Sequence, residues 1–259
     1  MTDYTYKITK LSTGYGKGKE RKNLLQNMSG NLYRGMLTCL IGVNGVGKST
    51  LMRTMAGLAP VAEGSVELLG RNIADYSKRD LAERVAVVLT DDVAEQNLTA
   101  FELVAMGRMP YTGYWGVLSE NDTKRVDEVM SLVGMSDFRH RRLSSLSDGE
   151  RRKLLIAKAL AQDTDVILLD EPVAFLDFPS KVSVLRLLNE VAKTMNKSVL
   201  VSIHDLELAL QTAGRLWVLS GNGFFEGEPR TLAAEGRLDF LFDSRGVSFD
   251  RERLQYSLI

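Results

Sequence analysis

Residues 42–50 constrain this chain more than any other segment. They contain Gly42 and Gly47 followed directly by Lys48 and Ser49, and they lie between an apolar stretch and a helical pattern. Between a strand and a helix, such a loop can turn its backbone N–H groups inward around a polyphosphate, and the positive end of the helix favours the anion. A glycine turn with an incidental lysine is the alternative, but it would not require this context. The segment therefore predicts nucleotide binding.

Each polar residue of this loop has an expected task. Lys48 would reach the β and γ phosphates of the nucleotide, and the Ser49 hydroxyl would be a ligand of Mg²⁺. The remaining candidate nucleotide-binding residues of the loop are Asn44, Gly45, Gly47 and Thr50.

Short β-branched runs alternate with helix-period segments along the chain, which predicts an α/β fold with a largely parallel sheet. The expected strands are residues 37–41, 65–69, 84–89, 166–169, 198–203 and 216–219. The expected helices are residues 48–57 and 181–195, and, within an inserted helical segment, residues 101–106, 120–133 and 150–160. Residues 109–115 are interpreted as a loop, either a packed surface loop or a docking edge, and residues 227–259 as a mixed polar tail.

Two acids, Asp170 and Glu171, follow the apolar run 166–169. The carboxyl ends of parallel strands are where open α/β sheets bind ligands, so Asp170 can hold Mg²⁺ and Glu171 can polarise the attacking water. A solvated turn is the alternative for two acids in this position. The phosphate-binding loop elsewhere in the chain favours the catalytic interpretation.

Composition excludes several classes of protein. The 33 Lys and Arg residues balance the 33 Asp and Glu residues, which argues against nucleic acid as the main partner. A single cysteine, Cys39, cannot form an internal disulfide, and the first residues do not resemble a secretion signal. Residues 35–47, an uncharged stretch, are too short and too rich in glycine to span a bilayer. We therefore expect a cytoplasmic protein that contacts a membrane only through partners.

Five segments together resemble the ATP-binding-cassette (ABC) ATPases. They are the phosphate loop, the Leu-Ser-Asp-Gly-Glu signature at 146–150, the run 166–172, residues 175–177 and His204. The resemblance spans the whole chain and implies a P-loop NTPase (RecA-like) core with an N-terminal antiparallel β portion and an inserted helical subdomain. It implies one nucleotide-binding domain, residues 1–259. Its parts would be an ATP-binding core at 1–97 and 163–230, a helical signature subdomain at 98–162 and a C-terminal tail at 231–259.

The resemblance also implies that two cassettes meet head to tail. Ser147 and Gly149 would then contact the γ-phosphate bound to the other cassette, and Asp177 would lie in the loop between the two sites. His204 would hydrogen-bond the γ-phosphate and position the water, and Tyr15 would stack on adenine, although an aromatic in a glycine loop is often simple packing. The second histidine, His140, is interpreted as structural.

Three positions depart from the family pattern. Thr90 stands where a glutamine usually ligates the metal, and its shorter hydroxyl would act through a water. Gln96 is a distant substitute for that glutamine. Asp148 replaces a usual glycine, and Glu150 a common glutamine, within the signature.

Residues 107–111 and 114–116, with the ending at 240–242 and 247–250, resemble importers of ferric siderophores, haem and cobalamin. This resemblance implies a Mg²⁺-dependent ATPase that pairs with itself and drives two transmembrane permease subunits. A separate substrate-binding protein would deliver the substrate to those subunits. The ATPase would lie at the inner face of the cell membrane. Two alternatives remain at this point: a soluble cassette ATPase acting on protein or nucleic acid, and a nucleotide-binding regulator with weak hydrolysis.

Overall fold

The computed structural model describes residues 4–15, 22–89, 97–220, 223–241 and 247–258, which form twelve strands and eight α-helices. The strands are β1 (Tyr4–Tyr15), β2 (Lys22–Tyr33), β3 (Met36–Gly42), β4 (Glu63–Leu68), β5 (Arg71–Asn72), β6 (Val85–Val88), β7 (Val166–Asp170), β8 (Ser198–Ser202), β9 (Arg215–Ser220), β10 (Gly223–Gly227), β11 (Val247–Asp250) and β12 (Gln255–Leu258). The helices are α1 (Lys48–Met55), α2 (Lys78–Ala82), α3 (Ala100–Ala105), α4 (Glu120–Leu132), α5 (Asp148–Ala161), α6 (Phe178–Thr194), α7 (Leu206–Thr212) and α8 (Pro229–Ala234).

A six-stranded sheet with the order β10-β9-β3-β8-β7-β6 forms the centre of the fold. Its strands β9, β3, β8, β7 and β6 run parallel, and β10 joins the edge antiparallel to β9. The parallel strands place their carboxyl ends at one edge, where α/β sheets bind ligands. The predicted α/β class with a mostly parallel sheet is therefore confirmed.

The central strands are buried on both faces, which explains their continuous apolar runs. Side chains alternate across β7: Val166 and Leu168 join one hydrophobic core, and Ile167 and Leu169 join the other. The first core contains Leu51, Met52 and Met55 of α1, whereas the second contains residues of the helical insertion and of α6. Because side chains alternate, Asp170 lies on the same face of the sheet as Leu168, which is the face covered by α1.

A second sheet, four-stranded and antiparallel with the order β2-β1-β4-β5, lies near the N-terminus of the chain. Its buried side chains share a hydrophobic core with α1. The expected strand at residues 65–69 is present as β4, but it pairs with β1 in this second sheet and not with the parallel strands. Tyr6 of β1 donates its hydroxyl to the Met55 carbonyl at 2.5 Å, which anchors the sheet to the end of α1. The N-terminal antiparallel portion is thus confirmed.

The helical insertion contains α3, α4 and α5, which pack on one another. Each of these helices begins with a capping box. The hydroxyl of the N-cap residue accepts the backbone N–H of the residue three positions later, and the carboxylate of that residue accepts the backbone N–H of the N-cap. The residue pairs are Thr99 with Glu102, Ser119 with Asp122, and Ser147 with Glu150. Part of the expected loop 109–115 is helical, because a 3₁₀ helix covers Met106–Tyr111 with Pro110 inside it.

The expected polar tail has more structure than its composition indicates. The helix α8 and the hairpin of β11 and β12 occupy it, and Leu232, Leu238 and Leu254 are buried in the core shared with the helices. In the described part of the chain, we find no helix with the length and apolar character needed to cross a membrane.

Candidate nucleotide-binding and hydrolytic site

The phosphate loop connects β3 to α1 at the ligand-binding edge of the sheet. Gly45 and Gly47 have φ angles of 75° and 113°, a left-handed backbone region that side chains disfavour. A Cβ at Gly42 would lie 2.7 Å from the Leu219 carbonyl oxygen, so the loop also needs glycine there for close packing. Backbone geometry therefore favours glycine at Gly45 and Gly47, and close packing favours it at Gly42.

The N-terminus of α1 is open to an anion. No side chain caps it, and its first turn, which includes Ser49 and Thr50, carries no acid. The other face of the loop exposes Val43, Asn44 and Gly45. Free helix N–H groups and the helix dipole favour phosphate, so this end of α1 suits the predicted nucleotide.

Lys48 is 6% exposed and folds back over its own loop. Its Nζ donates to the carbonyl oxygens of Gly42 at 2.8 Å and Val43 at 3.4 Å. Burial lowers the pKa of the Lys48 ammonium, and the nearby carboxylates of Glu171 and Asp170 oppose this shift. The three predicted side chains are therefore close enough to act on one another electrostatically.

Asp170 is fully buried at the end of β7, and Glu171 follows it with a left-handed φ of 51°. The Ser202 hydroxyl donates to Oδ1 of Asp170 at 2.5 Å and accepts the backbone N–H of Glu171 at 2.9 Å. On the same side, Nε2 of His204 lies 2.5 Å from Oε1 of Glu171. The ends of β7 and β8 thus bring Asp170, Glu171 and His204 into one cluster.

The residues present fit a magnesium ion. Mg²⁺ prefers hard oxygen donors and is usually held by one or two carboxylates together with substrate phosphates. The Asp170 carboxylate and the Ser49 hydroxyl are donors of this kind. Across the residues that the structure describes, no group of three or more His, Cys, Asp or Glu side chains forms a complete metal cage.

The signature lies at the start of α5, where Ser147 is the N-cap. The Ser147 hydroxyl accepts the Glu150 N–H at 3.3 Å and donates to the Glu150 carboxylate at 2.8 Å. Bonds from the backbone and side chain of Ser147 hold the pKa of Glu150 below its ordinary value. The side chain of Asp148 is 78% exposed and lies 3.7 Å from Arg151.

The loop around Asp177 packs against the signature. A Cβ at Gly149 would lie 3.1 Å from Leu176, the residue before Asp177. Asp177 is the N-cap of α6 and accepts the Ser180 N–H at 3.1 Å, and bonds from Ser180 lower the pKa of its carboxyl. The signature and this loop are therefore neighbours within one chain.

Three residues named in the sequence analysis are not fully placed by the structure. Thr90 lies outside the described residues, as does Gln96. Tyr15 belongs to β1, but its side chain lies outside the described part of the structure. Their expected contributions to metal and adenine binding stay predictions.

Ser202 is the site residue that the sequence reasoning missed. It ends a buried apolar strand and stands two residues before His204. A serine at the last position of such a strand, next to a predicted catalytic histidine, is the signal that could have identified it.

The segment after α3 is anchored to the helical insertion by hydrogen bonds and carries an exposed apolar patch. Arg108 donates from Nε to Asp122 at 2.9 Å and from a terminal nitrogen to the Ala161 carbonyl at 2.7 Å, which fixes the segment to α4 and α5. Tyr111 donates its hydroxyl to the Gln162 carbonyl at 2.8 Å. The exposed patch consists of Met109, Tyr114, Trp115 and Val117, with exposed fractions of 63%, 96%, 85% and 75%.

The sequence matches the family described as ABC transporter over residues 25–174. A petrobactin import ATP-binding protein of Bacillus anthracis is 35% identical over 227 residues, which are 87% of this chain and 82% of that protein. A solved structure described as a metal-chelate type ABC transporter in an inward-facing conformation aligns with a TM-score of 0.80 at 24% identity, covering 99% of this chain and 97% of the other. A dimeric bacterial ABC transporter cassette aligns with a TM-score of 0.76 at 25% identity, covering 86% and 98%. The chain belongs to the ABC transporter family, as a cassette that binds nucleotide and hydrolyses ATP.

Proposed function

We propose that this chain is the motor subunit of an importer for an iron-siderophore, haem or cobalamin-type substrate. Support comes from the relative named for petrobactin import and from the 107–116 segment. The chain would lie on the inner face of the cell membrane, bound to two permease subunits that receive substrate from a separate binding protein. The domain division into core, signature subdomain and tail remains part of this proposal.

The observation that carries the proposal is the cluster of Lys48, Asp170, Glu171 and His204 at the carboxyl ends of β3, β7 and β8. When ATP binds, Lys48 exchanges its loop carbonyls for phosphate oxygens, and the N–H groups of Gly45, Gly47 and the first turn of α1 surround the phosphates. Ser49 and Asp170, with Thr90 acting through a water, would hold Mg²⁺, and the ion would supply positive charge to neutralise the phosphates.

Glu171 orients the attacking water and takes its proton as the oxygen adds to the γ-phosphorus and the bond to the β-phosphate oxygen breaks. His204 holds the Glu171 carboxylate and donates to the γ-phosphate. Ser147 and Gly149 of a second copy complete the site from the other side, and Asp177 links the two sites. Tyr15 stacks on the adenine ring.

The apolar patch of Met109, Tyr114, Trp115 and Val117 is the proposed contact with the permease. Clusters of exposed aromatic side chains mark interaction sites. The hydrogen bonds of Arg108 and Tyr111 hold the segment that carries this patch against the helical insertion. Trp115→Ala should leave the ATPase activity of the isolated chain unchanged and abolish membrane recruitment. The exposed Leu58, distant in sequence from the patch, provides the control variant Leu58→Ala.

The proposal is tested by ATPase turnover of the purified chain with Mg²⁺, measured over a range of protein concentrations beside the Glu171→Gln variant. Turnover should rise steeply with concentration, and Glu171→Gln should bind ATP, accumulate as a dimer and lose at least about 10²-fold in turnover. Unchanged turnover in the variant would remove Glu171 from its assigned role.

A further inference from the structure

Ser202 touches both acids of the hydrolytic site with a single hydroxyl group. It is fully buried at the end of β8, directly opposite Asp170 in the parallel register of β7 and β8. Its oxygen accepts the Glu171 N–H at 2.9 Å, and its proton goes to Oδ1 of Asp170 at 2.5 Å.

The two bonds fix how the hydroxyl is used. A serine hydroxyl has one proton to donate. The Glu171 N–H approaches the oxygen as a donor, so the proton of Ser202 is directed to the Asp170 carboxylate. Asp170 is therefore held in one orientation by its register partner on the same face of the sheet.

The bond to Glu171 supports a strained backbone. A φ of 51° is strained for a non-glycine residue, and such conformations persist where the surroundings hold them. The peptide at Glu171 decides where its carboxylate points, and His204, two residues after Ser202, contacts that carboxylate. The end of β8 thus holds Glu171 at both its backbone and its side chain.

We propose that Ser202 is a positioning residue for ATP hydrolysis. Its hydroxyl orients the Asp170 carboxylate for Mg²⁺ and holds the Glu171 peptide in the turn that aims its carboxylate at water. It acts through these two residues, to which both of these hydrogen bonds go. The inference rests on the roles proposed above for Asp170 and Glu171.

The test compares Ser202→Ala with the wild-type chain in two measurements. The first is the rise in unfolding temperature caused by ATP as Mg²⁺ is titrated, with ATP in EDTA as the metal-free reference. Hydrogen-bond partners behind metal ligands usually change metal affinity or activity by 10- to 100-fold, so Ser202→Ala should need at least about tenfold more Mg²⁺. ATP affinity in EDTA should change by less than about twofold. The second measurement is turnover, where kcat should fall by about 10- to 100-fold.

Ser198→Ala is the matched control on the same strand. Ser198 is also fully buried and faces the same side, but its hydroxyl donates to the Tyr33 carbonyl at 2.8 Å and accepts from Thr5 at 2.5 Å, at the opposite end of β8. The Ser198→Ala variant should have a lower unfolding temperature but the same Mg²⁺ dependence of ATP stabilisation as the wild type. Ser202→Thr, which keeps the hydroxyl, should restore most of the Mg²⁺ response.

Asp170→Asn separates this inference from the proposed function. A changed Mg²⁺ dependence in Asp170→Asn together with a wild-type dependence and kcat in Ser202→Ala would overturn the role of Ser202 and leave that of Asp170 intact. Wild-type behaviour in both variants would overturn both. The thermal measurement needs no turnover, so it decides the question even if the chain alone hydrolyses ATP slowly.

Discussion

The Nε2 atom of His204 lies 2.5 Å from the Oε1 atom of Glu171, so the two side chains expected to direct the attacking water are in direct contact. The His204 side chain is 45% exposed and that of Glu171 is 28% exposed, so both are partly open to solvent. A contact of this length makes the position of the carboxylate depend on the imidazole. The two residues should therefore act as one unit.

His204→Ala should reduce ATP turnover by about 10²-fold and leave ATP binding nearly unchanged, because the loss falls on the water-positioning step. Residues that act as a unit have strongly non-additive effects. The double variant His204→Ala with Glu171→Gln should thus be no slower than Glu171→Gln alone. Steady-state kinetics on the three variants measure this, and effects that multiply in the double variant would show that the residues act independently.

Asp148→Gly should leave ATPase activity equal to or higher than that of the wild type. Asp148 is exposed at the start of α5 with Arg151 as a neighbour, and its charge would approach the γ-phosphate held by the other cassette. Removing an acid from the first turn should lower stability by about 0.5 kcal/mol. Asp148→Asn, which removes the charge and keeps a side chain, separates the electrostatic effect from the backbone effect. A large loss of activity in both variants would mean that Asp148 has acquired a role of its own.

Removing one partner of the Arg108 and Asp122 pair should destabilise the fold, because it leaves the other charge buried without its partner. Their side chains are 14% and 10% exposed, and breaking a buried pair on one side typically costs about 3 kcal/mol. Arg108→Ala should show this loss in urea unfolding. Arg108→Lys should recover little, because one ammonium lacks the planar fork that spans Asp122 and the Ala161 carbonyl.

Arg79→Ala is the control for this loss. Arg79 pairs with Glu83 at 3.4 Å, but its side chain is 68% exposed. Exposed pairs contribute about 0.5 kcal/mol or less. Equal losses of unfolding free energy in Arg79→Ala and Arg108→Ala would show that the buried bonds of Arg108 stabilise the fold no more than an exposed ion pair does.

The features predicted from the sequence are those that local patterns encode. The apolar run before Asp170 predicts a buried strand, and the spacing of Gly42, Gly47 and Lys48 predicts a phosphate loop, since both depend on neighbouring residues. The position of β4 beside β1 depends on pairing between segments far apart in the chain, so its apolar pattern alone indicated only a strand.

Ser202 and Arg108 illustrate what local patterns leave out. Ser202 gains its contacts from β7, 31 and 32 residues away in sequence, and Arg108 bonds to Ala161, 53 residues away. Hydrogen bonds across such distances form only once the sheet and the insertion are assembled. The tail was hard to interpret for the same reason, because Leu254 is buried by residues from elsewhere in the chain.

The capping boxes of the helical insertion should make its stability depend on pH in the acid range. Bonds from Ser147 lower the pKa of Glu150 below 4.5, and bonds from Ser119, followed by Arg108, lower that of Asp122 below 3.8. A carboxyl with a lowered pKa in the folded state stabilises the fold above its unfolded pKa, and this contribution is lost as the pH falls through the folded value. The contribution of these two carboxyls to stability should therefore be constant near neutral pH and decline below about pH 4.5.

Glu150→Gln isolates the charge, because glutamine can still accept the Ser147 N–H in a capping box. At pH 7 this variant should be less stable than the wild type by about 0.5 kcal/mol, and near pH 3 the difference should shrink as Glu150 becomes protonated. Urea unfolding across this pH range measures it, with Glu190→Gln on the exposed face of α6 as the control. A difference that stays constant from pH 7 to pH 3 would mean that the Glu150 charge does not stabilise the start of α5.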